Sequence, residues 1–254
     1  MPRVARLSIA PVKSLGLLHP DSISLTERGV AEDRRFFLID ATGRLMDRLV
    51  IGRLVQVGAW TDPDGATLRL TFPDKQVIQD EVVPHDPVVT SMYGLQAHGH
   101  TVGGPFAAAL STFAEREIRL VRTDAPGGTR DHHPATLVSD GSLDQLGQQL
   151  GVGAVDGRRF RMLMELEGGA AHEEDGWIGQ RVAVGSATLR ISAPVPRCAI
   201  TTQDPDTGER DLDTLRTIIA YRGLRDGTDV DFGVWGEVET PGRVALGDEV
   251  RLLD

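Results

Sequence analysis

One cysteine stands in 254 residues. That excludes an internal disulfide framework and any multi-cysteine zinc or iron–sulfur site, leaving a lone reactive thiol or a lone thiolate ligand. Basic charge is scarce: 27 Lys and Arg face 37 Asp and Glu, a net charge of −10. General nucleic-acid binding needs a basic footprint and is disfavoured. Long apolar runs are missing. The N-terminal MPRVARLSIAPVKSL is broken by Arg6, Pro11 and Lys13, so it has no signal-peptide core. No stretch reaches the roughly 18–20 apolar residues of a membrane span. The reading is a soluble cytoplasmic protein without a membrane partner, its lone cysteine compatible with a reducing compartment. P-loop, G-x-G-x-x-G, G-x-S-x-G and H-E-x-x-H motifs are all absent.

What is present is ordinary globular composition, with 40% hydrophobic and 25% charged residues. The 29 glycines point to many tight turns. The pattern is mainly β up to about residue 100. Val4–Ile9 alternates apolar and polar, and Arg35–Ile39 is a short apolar run whose partner returns at Arg44–Arg48. Val55–Trp60 and Leu68–Phe72 flank Asp62-Pro63-Asp64-Gly65, a hairpin signal. Further strands are expected at Gln76–Ile78 and Val88–Met92. Helical spacing begins later, at Phe106–Phe113, at Leu143–Leu150 behind a Ser142/Gln145 capping box, and at Leu212–Tyr221. Strands at Ile118–Arg122, Arg161–Leu166, Gln180–Val184, Thr188–Ser192, Phe232–Val238 and Glu249–Leu253 intervene. The expected fold is α+β, mainly β. A β-barrel-like domain over 1–100 packs on a second β-barrel domain over 101–254 that carries a few short helices.

Candidate chemistry gathers at few places. Cys198 follows a strand that should end at Pro194-Val195-Pro196, and its neighbour Arg197 favours the thiolate, the form that attacks or binds metal; the alternative is a buried structural cysteine. Thr201-Thr202-Gln203-Asp204-Pro205-Asp206-Thr207-Gly208 reads as a surface turn, or as carboxylates and hydroxyls beside a reactive centre. Lys13-Ser14, at a strand end, can hold a phosphate or simply be solvated. Arg34 either pairs with Asp33 or faces an anion. Arg158-Arg159-Phe160-Arg161 is the densest basic cluster. His132-His133 diverge along a strand, and His98-x-His100 lacks a third ligand, so neither reads as a metal site.

Taken in order, these segments resemble the MOSC family, named for the C-terminal domain of molybdenum cofactor sulfurase. The similarity is to its two-part members with an N-terminal β-barrel, such as the mitochondrial amidoxime-reducing component. It rests on Pro11-Val12-Lys13-Ser14-x-Gly16, Gly29 to Asp33-Arg34, Asp131 and Pro134, Leu137-Val138-Ser139, Ser142-Leu143, Arg159-Phe160-Arg161, Trp177-x-Gly179 and Gly185. Above all it rests on Arg197-Cys198-x-x-Thr201-Thr202-x-Asp204-Pro205-Asp206-Thr207-Gly208. The resemblance implies a molybdenum cofactor (molybdopterin), with Cys198 as metal ligand and catalytic centre. It implies Lys13, Ser14, Arg34, Arg161 and Arg197 as cofactor-binding residues. Met162-Leu163 stand where the family often has Pro-Asn, and Pro196 replaces a small polar residue.

Two functions follow. One is a monomeric reductase of N-hydroxylated or related N/S-oxygenated small molecules. It would take electrons from a separate flavin or iron–sulfur protein, since the chain has no flavin, haem or iron–sulfur motif. The other is a non-enzymatic carrier of molybdenum cofactor or of a Cys198 persulfide.

Overall fold

The computed structural model describes residues 1–129 and 133–253. Asp131 and His132 of the sequence reading therefore lie outside the described residues. The first half runs β1 (Arg3–Leu7), β2 (Ser22–Thr26), β3 (Gly29–Val30), β4 (Phe36–Ile39), β5 (Leu45–Met46), β6 (Gly58–Thr61), β7 (Thr67–Thr71), β8 (Val77–Glu81), β9 (Pro84–Met92), β10 (Leu95–Val102), α1 (Phe106–Ala114) and β11 (Arg119–Thr123). The second runs β12 (Ala135–Ser139), α2 (Asp140–Leu150), β13 (Met164–Glu167), β14 (Arg181–Val184), β15 (Ala187–Pro196), α3 (Thr214–Arg222), β16 (Asp231–Thr240), β17 (Gly242–Ala245) and β18 (Val250–Leu253). The fold is α+β and mainly β, with curled, half-barrel sheets.

A seven-stranded sheet, ordered β1-β13-β12-β16-β15-β14-β18, carries the second half. Its alternating inward residues, among them Leu137, Leu166, Val182, Leu189 and Val234, form one core. A five-stranded sheet, β5-β4-β11-β10-β9, and the meander β6-β7-β8 enclose a second core with Phe36, Leu54, Leu68, Phe106 and Leu120. The halves exchange strands. β1 pairs with β13, and β2 pairs with β17 near the opposite end of the chain. β10 crosses the 100/101 position expected as a boundary, and β11 closes the five-stranded sheet beside it.

Local chemistry explains most elements. The Asp62–Gly65 turn closes as expected: Gly65 sits at φ +67 and Asp62 accepts from the Ala66 and Thr67 amides. Three expectations are corrected. Val55 and Gln56 belong to a 3-10 turn over Gly52–Gln56, not a strand; Val55 and its neighbour Leu54 are both buried, and a turn, unlike a strand, brings adjacent residues to one side. Helix α2 starts earlier than Ser142. Its cap is Ser139, whose Oγ accepts from the Ser142 amide at 3.2 Å. Ser142 lies inside the helix, and its hydroxyl accepts from the His172 amide at 2.9 Å while donating to Glu174 at 2.7 Å. The strand before Cys198 outruns the expected Thr188–Ser192 and ends on the second proline. β15 runs through Pro196, and register shifts between Ile191 and Ala193 and between Pro194 and Pro196 absorb the missing amide donors. No helix among the described residues is long and apolar enough to cross a membrane.

Candidate functional site

A cavity of about 320 Å³ opens between the two halves. Lys13, Ser14 and Arg34 line it from the first half, and Arg161, Arg197 and Cys198 from the second. The structure thus brings together all six residues singled out from the sequence. Two loops are tied edge to edge to achieve this on the first side. The Lys13 amide bonds Phe36 O at 2.8 Å, the Arg34 amide bonds Ala10 O at 2.7 Å, and the Ala10 amide bonds Asp33 Oδ1 at 2.8 Å. Strain collects at the cavity. Ser14, Arg34, Tyr93 and Arg161 all line it with φ between +50 and +77, a region costly for residues other than glycine and sustained by the packing around it.

The site holds more positive charge than its carboxylates balance. Arg34 pairs with Asp33 at 2.5 Å and donates to Arg161 O at 3.3 Å. Arg161 donates from Nη2 to Leu15 O at 2.9 Å, while its buried Nη1 has no partner among the described residues. Burial, then the nearby Arg48 and Arg34 charges, push the Arg161 guanidinium well below its ordinary value. Arg48, which the sequence reading passed over, is fully buried. Its Nε donates to Gln203 Oε1 at 2.8 Å, and its Nη1 likewise has no partner among the described residues. Burial lowers its pKa to about 10, against the support of the Cys198 charge. Nothing in the pattern around Asp47-Arg48-Leu49 marks it, because its neighbours come from residues more than 150 positions away.

The rest of the basic cluster is neutralised. Arg158 grips Asp206 through two bonds of 2.7 and 2.9 Å, and Arg159 grips Asp211 through two of 2.6 Å. The Asp204–Gly208 segment is thereby a turn pinned to the arginines. Asp204 accepts from the Asp206 and Thr207 amides, so neither half of its earlier either/or reading holds alone.

Cys198 is exposed within the cavity and precedes a 3-10 turn over Ala199–Thr202. The Arg197 side chain does not reach into open space. It donates to Phe232 O at 2.8 Å, to Phe160 O at 3.1 Å and to Met162 Sδ at 2.6 Å, and it lies over the Phe160 ring. Burial lowers its pKa to about 9, with Cys198 and Asp231 supporting the charge. Arg197 therefore braces the backbone under Cys198, and Met162 has a local task at a position where the family often has proline. Lys13 Nζ bonds Thr129 O at 3.0 Å and stands over the Tyr93 ring.

Some motif residues serve the scaffold. Ser139 and Ser142 bind the two oxygens of the buried Glu174 at 2.7 Å each, outside the cavity lining. Beside them His172 meets Tyr221 at 3.3 Å. Burial, then Arg222, lowers the His172 pKa from 6.5 to about 4. Its folded form is neutral where an unfolded chain takes up a proton. Stability from this group is complete above about pH 6.5 and is lost as pH falls towards 4. Glu174, raised by burial, acts with the opposite sign. The expected result is that the pH series of melting temperature for His172→Asn, compared with wild type, shows a shallower fall between pH 6.5 and 4. Parallel curves would remove this assignment. His133 stacks on Trp235 at 4.7 Å at the cavity, and His100 meets Asp124 at 3.0 Å elsewhere.

Comparison with known proteins adds the family. The model described as MOSC domain matches residues 123–251, and that described as MOSC N-terminal beta barrel domain matches residues 1–117. The chain belongs to the MOSC family. Mitochondrial amidoxime-reducing component 1 of Mus musculus is 27% identical to this MOSC protein, over 98% of this chain and 82% of the relative. Molybdenum cofactor sulfurase of Drosophila grimshawi is 24% identical over 99% of this chain, which matches 35% of that longer protein. Among solved structures, the YUAD protein from Bacillus subtilis aligns over 98% of this chain and 94% of its own, with a TM-score of 0.48 and 12% identity.

Proposed function

We propose that this MOSC protein is a molybdenum-cofactor-dependent reductase of N-hydroxylated or related N- and S-oxygenated small molecules, fed by a separate flavin or iron–sulfur reductase. The observation that carries the reading is the exposed Cys198 thiol in a cavity lined by Arg48 and Arg161, each with a buried Nη1 that has no partner among the described residues. The donor set suits a pterin cofactor: one soft thiolate for the metal, and guanidinium, ammonium and hydroxyl donors for an anionic phosphate. The cavity volume of about 320 Å³ falls in the range of small-molecule sites, about 300–1,000 Å³. Relatives named as amidoxime-reducing components support the substrate class.

Cys198 would hold the metal. Lys13, Ser14, Arg34 and Arg161 would hold the anionic and pterin groups, and Arg197 would fix the backbone from which Cys198 projects. When bound, the cofactor supplies a metal centre that passes two electrons to the substrate. For an N-hydroxylated substrate the balance is R–NHOH + 2 e⁻ + 2 H⁺ → R–NH₂ + H₂O. The chain supplies position and an electropositive enclosure; Tyr93, His133 and Pro196 line the same cavity and would shape the space left for substrate.

The test is protein from a cofactor-competent host, assayed for molybdenum and pterin and for benzamidoxime reduction with an artificial electron donor. Molybdenum near one per chain with turnover supports the reading. Molybdenum without turnover on N- and S-oxygenated substrates favours the carrier, the reading in keeping with the sulfurase relatives. Absence of molybdenum and tungsten ends both.

A further inference from the structure

A second, smaller cavity of about 220 Å³ shares two lining residues, Arg48 and Arg161, with the first. Leu17, His19, Gln56, Arg158 and Asp206 belong only to the smaller cavity; Lys13, Ser14, Arg34 and Cys198 belong only to the larger. The charged lining of the smaller cavity is three arginines against one carboxylate, Asp206. Asp206 is already engaged by Arg158, which Asp156 also holds at 2.8 Å. Among the described residues neither Arg48 nor Arg161 has a carboxylate bound to it, and both carry a buried Nη1 without a partner. Two buried guanidinium edges left open are a large electrostatic debt unless an anion meets them.

We infer that the smaller cavity is a second anion site, in which Arg48 and Arg161 hold a phosphate-type oxyanion separately from the cluster around Lys13, Ser14 and Cys198. The paired, planar donors suit a tetrahedral oxyanion. The group comes either from free phosphate or from a phosphoryl extension of the bound cofactor, such as a nucleotide form.

The probe is inorganic phosphate, titrated by calorimetry into protein from a host that makes no molybdenum cofactor, against sodium chloride of equal ionic strength. Wild type should bind about one phosphate. Arg48→Met should weaken it at least about tenfold, the loss of a charge-assisted contact. Arg48 is buried, so two further variants at less buried positions guard against misfolding. Leu17→Glu adds a carboxylate at the lining and should weaken binding as strongly, whereas Asp206→Asn removes one and should tighten it by about two- to fivefold. Cofactor-loaded protein separates the sources: retained binding indicates free phosphate, and lost binding a phosphoryl group of the cofactor already seated there. The inference is overturned if cofactor-free wild type binds phosphate no better than chloride. It is overturned equally if Leu17→Glu binds phosphate as tightly as wild type. Because the titration uses cofactor-free protein, its failure is distinct from failure of the reductase reading, which the metal assay decides.

Discussion

Replacing Cys198 with alanine should empty the protein of molybdenum while leaving the fold intact. Cys198 is the sole sulfur nucleophile of the chain, and its side chain is exposed in the cavity. An exposed substitution away from caps and pairs changes stability by about 0.5 kcal/mol or less, so the melting temperature should barely move. Metal retention should fall much further. Even outer-sphere partners of metal ligands are worth about 10–100-fold in affinity, and Cys198 would be the only protein ligand to the metal named here. The expected result is molybdenum below about a tenth of the wild-type ratio and no reduction of benzamidoxime. Cys198→Ser should behave alike, a hard hydroxyl being a poor substitute for a soft thiolate. Full metal content in the alanine variant, measured on freshly purified protein, would make Cys198 an ordinary surface thiol.

The other large effect is expected at two residues outside the cavity lining. Gly208 closes the Asp204–Gly208 turn at φ +78, and its backbone lies against that of Gly52. A Cβ on Gly208 would stand 2.0 Å from Gly52 O, and one on Gly52 would stand 2.3 Å from Gly208 O. Both obstacles are backbone, which cannot swing aside as a side chain does. Gly208→Ala adds the left-handed penalty of about 1–2 kcal/mol to that collision, for a total of about 3 kcal/mol or more. In a chain of this size that lowers the melting temperature by roughly 6–12 °C. Gly151 offers the control. It caps α2 at φ +69 with nothing within 4 Å of its ideal Cβ, so Gly151→Ala should show the conformational penalty alone. Equal shifts for the two variants would mean that the Gly52–Gly208 contact carries no weight. Cofactor loading should also suffer in Gly208→Ala, because the same turn holds Gln203 and Asp204 against Arg48.

This contact shows what the sequence could and could not disclose. The ordered motif ending in Asp-Pro-Asp-Thr-Gly made Cys198 stand out. Lys13, Ser14, Arg34 and Arg161 stood out too, since each sits in a short segment of distinctive composition. Three of these positions, Ser14, Arg34 and Arg161, hold a left-handed backbone that no propensity rule assigns to them; surrounding bonds impose it. Arg48 was invisible because its meaning lies in Gln203, a partner 155 residues away. The Ser139 cap was misplaced by three positions because Ser142 satisfies the same local pattern; in the fold the Ser142 hydroxyl accepts from the distant His172 amide, and Ser139 takes the Ser142 amide. Strand existence followed from alternation and turns, whereas the pairing of β1 with β13 and of β2 with β17 involves no local signal at all.

That pairing bears on how the protein is made. β2 has as its partner Gly242–Ala245, a strand synthesised about 216 residues after Thr26 (242 − 26). At about 5–20 residues per second, translation leaves β2 with an open edge for roughly ten seconds to most of a minute. β1 likewise waits for Met164–Glu167. An exposed strand edge of this kind is a template for pairing with other chains. Chaperone demand during synthesis should therefore be set by the first thirty residues, even though the strained and charged chemistry lies elsewhere.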